Sequence, residues 1–300
     1  MIPVLLIVTI ITFLMIHLIP GDPARILAGE KARPETIEAM RVKLGLDKPL
    51  YVQYFIYLKN LVTLDLGTSF KYSRPVADLI VERLPVTVAL TLFSTALGLL
   101  IALPLGYISG IRKDGTADHA IRLSTLVAIA MPSFWVGLLL MILFSVKLHW
   151  LPAGGWDTTN LWTSFKCLIM PAFTQSLMTA AILIRDMRNH VVDITKQDYV
   201  DFARSKGISA GAIRRRHILR NSLVSTVTLL SMRMAALLGG SVLIESVFSL
   251  PGIGKLTYEA ISARDYATVQ SVVFMFSLLV LTVNLITDVI YSFLDPRVSL

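Results

Sequence analysis

The chain of 300 residues is 55% hydrophobic and only 16% charged, with a formal net charge of +8. Soluble globular domains carry roughly 25% charged residues, so a water-soluble fold of this size would leave too much apolar surface uncovered. The composition specifies an integral membrane protein with the lipid bilayer as its solvent, and the long apolar segments below make it all-α; one cysteine, Cys167, excludes an intrachain disulfide, no Cys/His cluster calls for a metal, and no feature calls for nucleic acid.

A membrane-crossing helix needs about 20 predominantly apolar residues. Six segments meet this, the fourth only just: 1–19, 85–111, 121–148, 168–184, 223–248 and 269–294. The first reads as a retained helix. It lacks the basic start of a signal peptide, its apolar run is too long for a signal peptide's apolar h-region, and it runs into Pro20-Gly21-Asp22-Pro23 without a small-residue cleavage site. Its abrupt start at Met1 leads us to expect a short basic leader ahead of it. Residues 20–84 then form a helical segment between the first two spans. Pro34 opens a helix with Ile37, Met40 and Leu44 on one face, and Gly45 closes it. Asp47 is expected to cap a second helix starting at Pro49, and Arg74-Pro75 to open a third. This cap either receives a partner or stiffens the rim. Pro104 and Pro132 are expected to bend spans two and three. The membrane core is 85–300, interrupted by the polar loop 185–222.

That loop carries nine Lys/Arg against four Asp, and loop 112–120 starts Arg112-Lys113. On the opposite side, 149–167 has only Lys166, and 249–268 only Lys255 and Arg264. By the positive-inside rule both termini and the polar loop are cytoplasmic.

Within the loop, "QDYVDFARSKGISAGAIRRRHILRN" (197–221) encodes two short helices. Asp198 suits an N-cap, with Asp201 in the first turn, and Gly207 suits the left-handed residue that ends a helix. On the helix 199–206, Tyr199, Phe202, Ala203 and Lys206 fall on one face. Ser209 caps the next helix, which carries Arg214, Arg215 and Arg216. Helices this short are marginal in water, so something covers them: the protein's own helix ends and lipid headgroups, or a partner with a groove for a helix.

Arg233 is near mid-depth of the fifth span, where a charge is costly enough to suggest function. It either lines a translocation path and meets an anionic cargo group, or pairs or snorkels. Gly239 and Gly240 beside it permit close approach of another helix. Asp288, in the sixth span, reads as a structural polar group. Gly252-Ile253-Gly254-Lys255 is not a phosphate loop, since one residue rather than four separates its glycines and Leu256 follows the lysine. No Ser/His/Asp set is expected to converge, so the chain is not an enzyme. The alternative transport class is a secondary transporter driven by an ion gradient, which would show intramembrane carboxylates or broken helices at the midplane.

"DYVDFARSKGIS…RHILRNSL" resembles the cytoplasmic signature loop of ABC-importer permeases, in the form carried by the dipeptide/oligopeptide/nickel permease family. The family pattern is Glu-Ala-Ala, three residues, then Gly. Asp201-Phe202-Ala203 stands in for the first part, Gly207 matches, and Arg220-Asn221 replaces the later Leu-Pro. Residues 17–70, 245–270 and 284–300 are similar to other blocks of the family in matching order. The resemblance implies a type I ABC importer permease fold with six transmembrane helices, in a bacterial inner membrane. It implies that Asp198, Tyr199, Asp201, Phe202, Ala203, Lys206 and Gly207 form a coupling helix seated in an ATPase subunit. Pro251, Gly252 and Gly254 in "SLPGIGKL" would shape an outer gate. A second homologous permease, two ATPases holding ATP and Mg, and an extracytoplasmic substrate-binding protein would complete the importer. The cargo (dipeptide, oligopeptide, glutathione or nickel chelate) is left open.

Overall fold

The computed structural model describes the backbone of residues 2–18, 23–29, 32–43, 45–157 and 159–294. Among these residues it contains no strand, and thirteen helices follow in chain order. They are α1 (Ile2–Leu18), α2 (Pro23–Ala28), α3 (Pro34–Lys43), α4 (Leu50–Val62), α5 (Val76–Ile111), α6 (Thr116–Ala130), α7 (Ser133–Leu140), α8 (Leu161–Thr195), α9 (Asp198–Ser205), α10 (Ala210–Ile213), α11 (Arg220–Val247), α12 (Ile253–Ser262) and α13 (Tyr266–Leu294). Among the described residues four helices are long and apolar enough to cross a membrane, Val76–Ile111, Leu161–Thr195, Ala210–Gly239 and Tyr266–Ile286, or five spans if the bent pair below is one, against the six expected. The bent pair Thr116–Ala130 and Ser133–Lys147 and the shorter apolar α1 occupy the other two expected segments. The chain divides into two compact units, 1–86 with 251–281, and 87–250 with 282–300.

In the first unit, Phe13 of α1 packs on α4, edge-on to Tyr54 at 5.4 Å and stacked with Tyr57 at 6.1 Å. Helix α3 opens at Pro34, and Gly45 follows it with a φ of +69°, both as expected. Asp47 does not cap α4. Pro49 occupies the cap position, and its own carbonyl accepts from the Val52 and Gln53 amides. The third expected outer helix is not separate either. It is the opening of α5, whose 36 residues make about 54 Å of rod, longer than the roughly 30 Å hydrocarbon core. The boundary read at 84/85 therefore falls inside one helix. Val76, Leu79 and Ile80 of α5 are buried against Ile253 and Leu256 of α12 and Val272 of α13. Two carboxylates fasten the 64–75 loop to this core. Asp265 accepts from the Ser69 and Thr268 hydroxyls, at 2.5 and 2.8 Å, and Glu259 accepts from Tyr72 and, at 3.1 Å, from Arg83.

In the second unit, the third expected span breaks at Met131-Pro132, and its halves meet at 101°. Met131 is extended (φ −85°, ψ 129°), as the residue before a proline prefers. Beyond α7 the helix continues as π-helical turns, Met141–Lys147. Helix α5, by contrast, runs on through Pro104. The central member is α8, started by the Asn160 side chain, which accepts from the Trp162 and Thr163 amides. It approaches α5 closely because Gly106 and Gly110 leave room. A Cβ on Gly106 would lie 2.7 Å from the Met187 Cβ, and one on Gly110 2.5 Å from the Val191 Cγ1. This is the small-xxx-small contact that helices use where no hydrophobic effect drives association. Deeper in the bundle Gln175 of α8 donates to the Leu237 carbonyl of α11 (2.8 Å) and accepts from Ser94 of α5 (3.4 Å).

Candidate functional site

Helix α9 is built as the polar stretch 197–221 leads one to expect, with three differences. Gln197, not Asp198, is its N-cap and makes no side-chain capping bond; Asp198 and Asp201 sit in the first turn, where their charge meets the positive helix end. At the other end Gly207 takes a φ of +78°, the Gly207 amide bonds to the Arg204 carbonyl (2.9 Å), and the Ile208 amide to that of Ala203 (3.3 Å). This pair of bonds is the Schellman stop that a glycine permits at low cost.

The second difference concerns the faces. Ala203 does not share the exposed face with Phe202 and Lys206. With Val200 it turns inward, into an apolar core made with Met187 and Val191 of α8 and Ile213 and Ile218 of the segment after Gly207. Tyr107 and Ile111 of α5 flank this core. The outward face carries Phe202, 61% exposed, and Tyr199, 42% exposed. The Lys206 ammonium lies 4.5 Å from the Phe202 ring centre. Asp201 pairs along the helix with Arg204 (2.8 Å), and Tyr199 accepts from Asn221 (2.9 Å).

The third difference lies beyond Ser209, whose hydroxyl caps the Ala212 amide as expected. The helix carrying the three arginines does not end. Residues 210–247 form one helix, π-helical over Arg214–Leu219. Such turns absorb an extra residue within an α-helix and recur at functional sites.

The structure also assembles groups that the sequence reading did not bring together. Asp118, in the first turn of α6, is fully buried and grips Arg188 of α8 through two parallel bonds, Nε–Oδ1 at 2.7 Å and Nη2–Oδ2 at 2.6 Å. Asp186, His190 and Ser225 meet as well, which corrects the expectation that no such set converges. The Ser225 hydroxyl (2.5 Å) and the Asp186 carboxylate (3.5 Å) both address the same His190 nitrogen, Nε2. A proton relay needs them on opposite ring nitrogens, so this is not a catalytic triad.

Arg233 is half-buried at the middle of α11, and its side chain makes no hydrogen bond or ion pair among the described residues. Beside it Met232, Ala236, Gly239 and Leu243 form an uncovered stripe, and nothing lies within 4 Å of a Cβ built on Gly239. The close contact expected at Gly239 is not made among the described residues. Gly240 belongs to α11, but its surroundings lie outside the described residues, as does the side chain of Asp288 in α13. Pro251 is half-buried, Gly252 is buried at the N-cap of α12, and Gly254 is buried in its first turn. Among the described residues no group of His, Cys, Asp and Glu could hold a metal ion.

Residues 102–300 match the family model described as the inner membrane component of binding-protein-dependent transport systems, and residues 1–91 match the model of its N-terminal part. A Brucella abortus protein named for a peptide transport system permease is 42% identical over 301 residues, covering 99% of this chain and 95% of that one. The dipeptide transport system permease DppB of Alkalihalophilus pseudofirmus is 36% identical over 100% of this chain and 96% of its own. The glutathione transport system permease GsiC of Escherichia coli O6:H1 is 38% identical over 99% and 95%. Among solved structures, a chain of the inward-facing MetNI methionine ABC transporter is similar in fold, with a TM-score of 0.59, 18% identity, and coverage of 72% of this chain and 96% of that one.

Proposed function

From its membership of the family of binding-protein-dependent transport system inner membrane components, we propose that this chain couples cargo passage to ATP hydrolysis in partner subunits through the outward face of α9. The chain is a membrane-spanning permease subunit of an ABC importer. Its cargo is a peptide or peptide-like solute, in keeping with the names of its relatives. The same names favour this reading over the ion-driven secondary transporter, although the third span is broken as a secondary transporter's can be.

The observation that carries the coupling reading is the two-sidedness of α9. One face is fused to the ends of α5 and α8, and the other presents an uncovered aromatic ring and a cation. An ATPase subunit with a groove for a short helix fits that outward face. Closure of two ATPases around ATP and Mg would then draw the helix and, with it, the ends of the spans. A second homologous permease lies across the pathway, with Arg233 facing the cargo, and a substrate-binding protein delivers cargo at the opposite mouth. The loop bearing α9 and both termini lie on the cytoplasmic side of the bacterial inner membrane, as the loop charges favour. Reconstituted uptake tests this reading. It should stop when ATP is removed and persist with a protonophore, and the reverse result would refute it.

A further inference from the structure

The Asp118 carboxylate accepts four hydrogen bonds. Its Oδ1 accepts from Arg188 Nε and from the Ser109 hydroxyl of α5 (2.5 Å), and its Oδ2 from Arg188 Nη2 and the Asp114 amide (3.0 Å). Burying such a pair gives little net stability compared with apolar side chains of the same volume. What it provides is a stiff, directional link between the elements it joins. Those elements matter here. Only two side chains of α6 are buried, Asp118 and Thr125, and the Thr125 hydroxyl bonds back to its own helix at Arg122. Helix α6 is thus held to the bundle at this end by the ion pair together with half-buried Ile121, which packs against the core of Ala102, Leu183 and Ile184. At its other end it runs into the 101° break. Arg188, for its part, stands seven residues before the end of α8, about two turns from the start of the loop to α9. Its neighbours Met187 and Val191 hold the inward face of α9.

We propose that Asp118 and Arg188 are positioning residues for coupling: their clamp carries a displacement of α9 and α8 to α6, and through it to the broken third span. The proposal rests on α9 being the ATPase contact, and the experiment separates the two. Complexes with ATPases and binding protein in proteoliposomes are assayed for ATP hydrolysed per cargo molecule taken up. Asp118→Asn and Arg188→Gln should each raise that ratio, by about tenfold, and the double variant should be no worse than either single one, because the two groups act as a unit. Ser109→Ala, which removes one donor and leaves the ion pair, should give a smaller rise. An unchanged ratio refutes the clamp, as does a loss of uptake that merely follows loss of assembled complex. If neither charge variant assembles, Ser109→Ala decides, and a wild-type ratio there refutes it. Phe202→Asp is run in parallel: if it too leaves uptake and ratio intact, α9 is not the ATPase contact, whereas if it uncouples and Asp118→Asn does not, the clamp alone fails.

Discussion

Phe202 offers the sharpest test of the docking surface, because its ring contributes nothing to the core beneath it. The buried residues of α9 are Val200 and Ala203, while Phe202 stands 61% exposed. A phenylalanine buries about 200 Å² when fully covered, so about 120 Å² of this one is open to a partner. At about 25 cal/mol per Å², covering it is worth about 3 kcal/mol, a factor of about 150 in affinity. Phe202→Ala should lose most of that, and Phe202→Asp should lose more, since the groove would then have to desolvate a carboxylate. Membrane insertion and the melting temperature of the permease alone should not change. The assay is binding of purified ATPase subunit to the permease in nanodiscs, followed by cargo-stimulated ATP hydrolysis and uptake. Phe202→Asp complexes that keep both activities at wild-type level would refute the assignment.

Three further outcomes are expected. Gly110→Val should lower the melting temperature in detergent, since its Cβ would lie 2.5 Å from Val191 and 3.0 Å from the Arg188 carbonyl, an overpacking worth about 1–3 kcal/mol; a variant as stable as its parent would deny the tight α5–α8 contact. Arg233→Gln should raise KM about tenfold for peptides with a free carboxylate and leave their C-terminal amides unchanged; equal effects on both would remove Arg233 from cargo recognition. Burial pushes the Glu259 carboxyl up, but the Tyr72 hydroxyl and Arg83 guanidinium it accepts from outweigh this and hold it below the usual carboxylate range. Its contribution to stability is therefore present above that range and drains away as pH falls through it. Tyr72→Phe should shrink the loss of melting temperature between about pH 7 and about pH 4, and an undiminished loss would refute the coupling.

The four long apolar helices and the α9 stop at Gly207 were legible because hydropathy and a left-handed residue act locally. The missed features are those in which one residue's meaning depends on another far along the chain. Arg188 read as one basic residue among nine in its loop, and nothing near it in sequence announces Asp118, seventy residues earlier. Gly106 and Gly110 are small residues in an apolar run until Met187 and Val191 are seen against them. Pro132 foretold a bend, but its size depends on what α6 and α7 pack against. Ala203 went to the wrong face because the periodicity of an eight-residue helix admits more than one boundary between its faces. Val200, two residues before Phe202 and hence on the opposite side, was the residue that fixes it.

Helix α9 therefore behaves as a removable address label on a fixed mount. Its inner residues pack within this chain, while Phe202 stands outward from that core and Tyr199 beside it is tied back to Asn221. On the proposal that this face seats an ATPase subunit, exchanging Tyr199, Phe202 and Lys206 for their counterparts in another importer, with Val200 and Ala203 left in place, would rewrite which motor is recruited and leave the mount as it was.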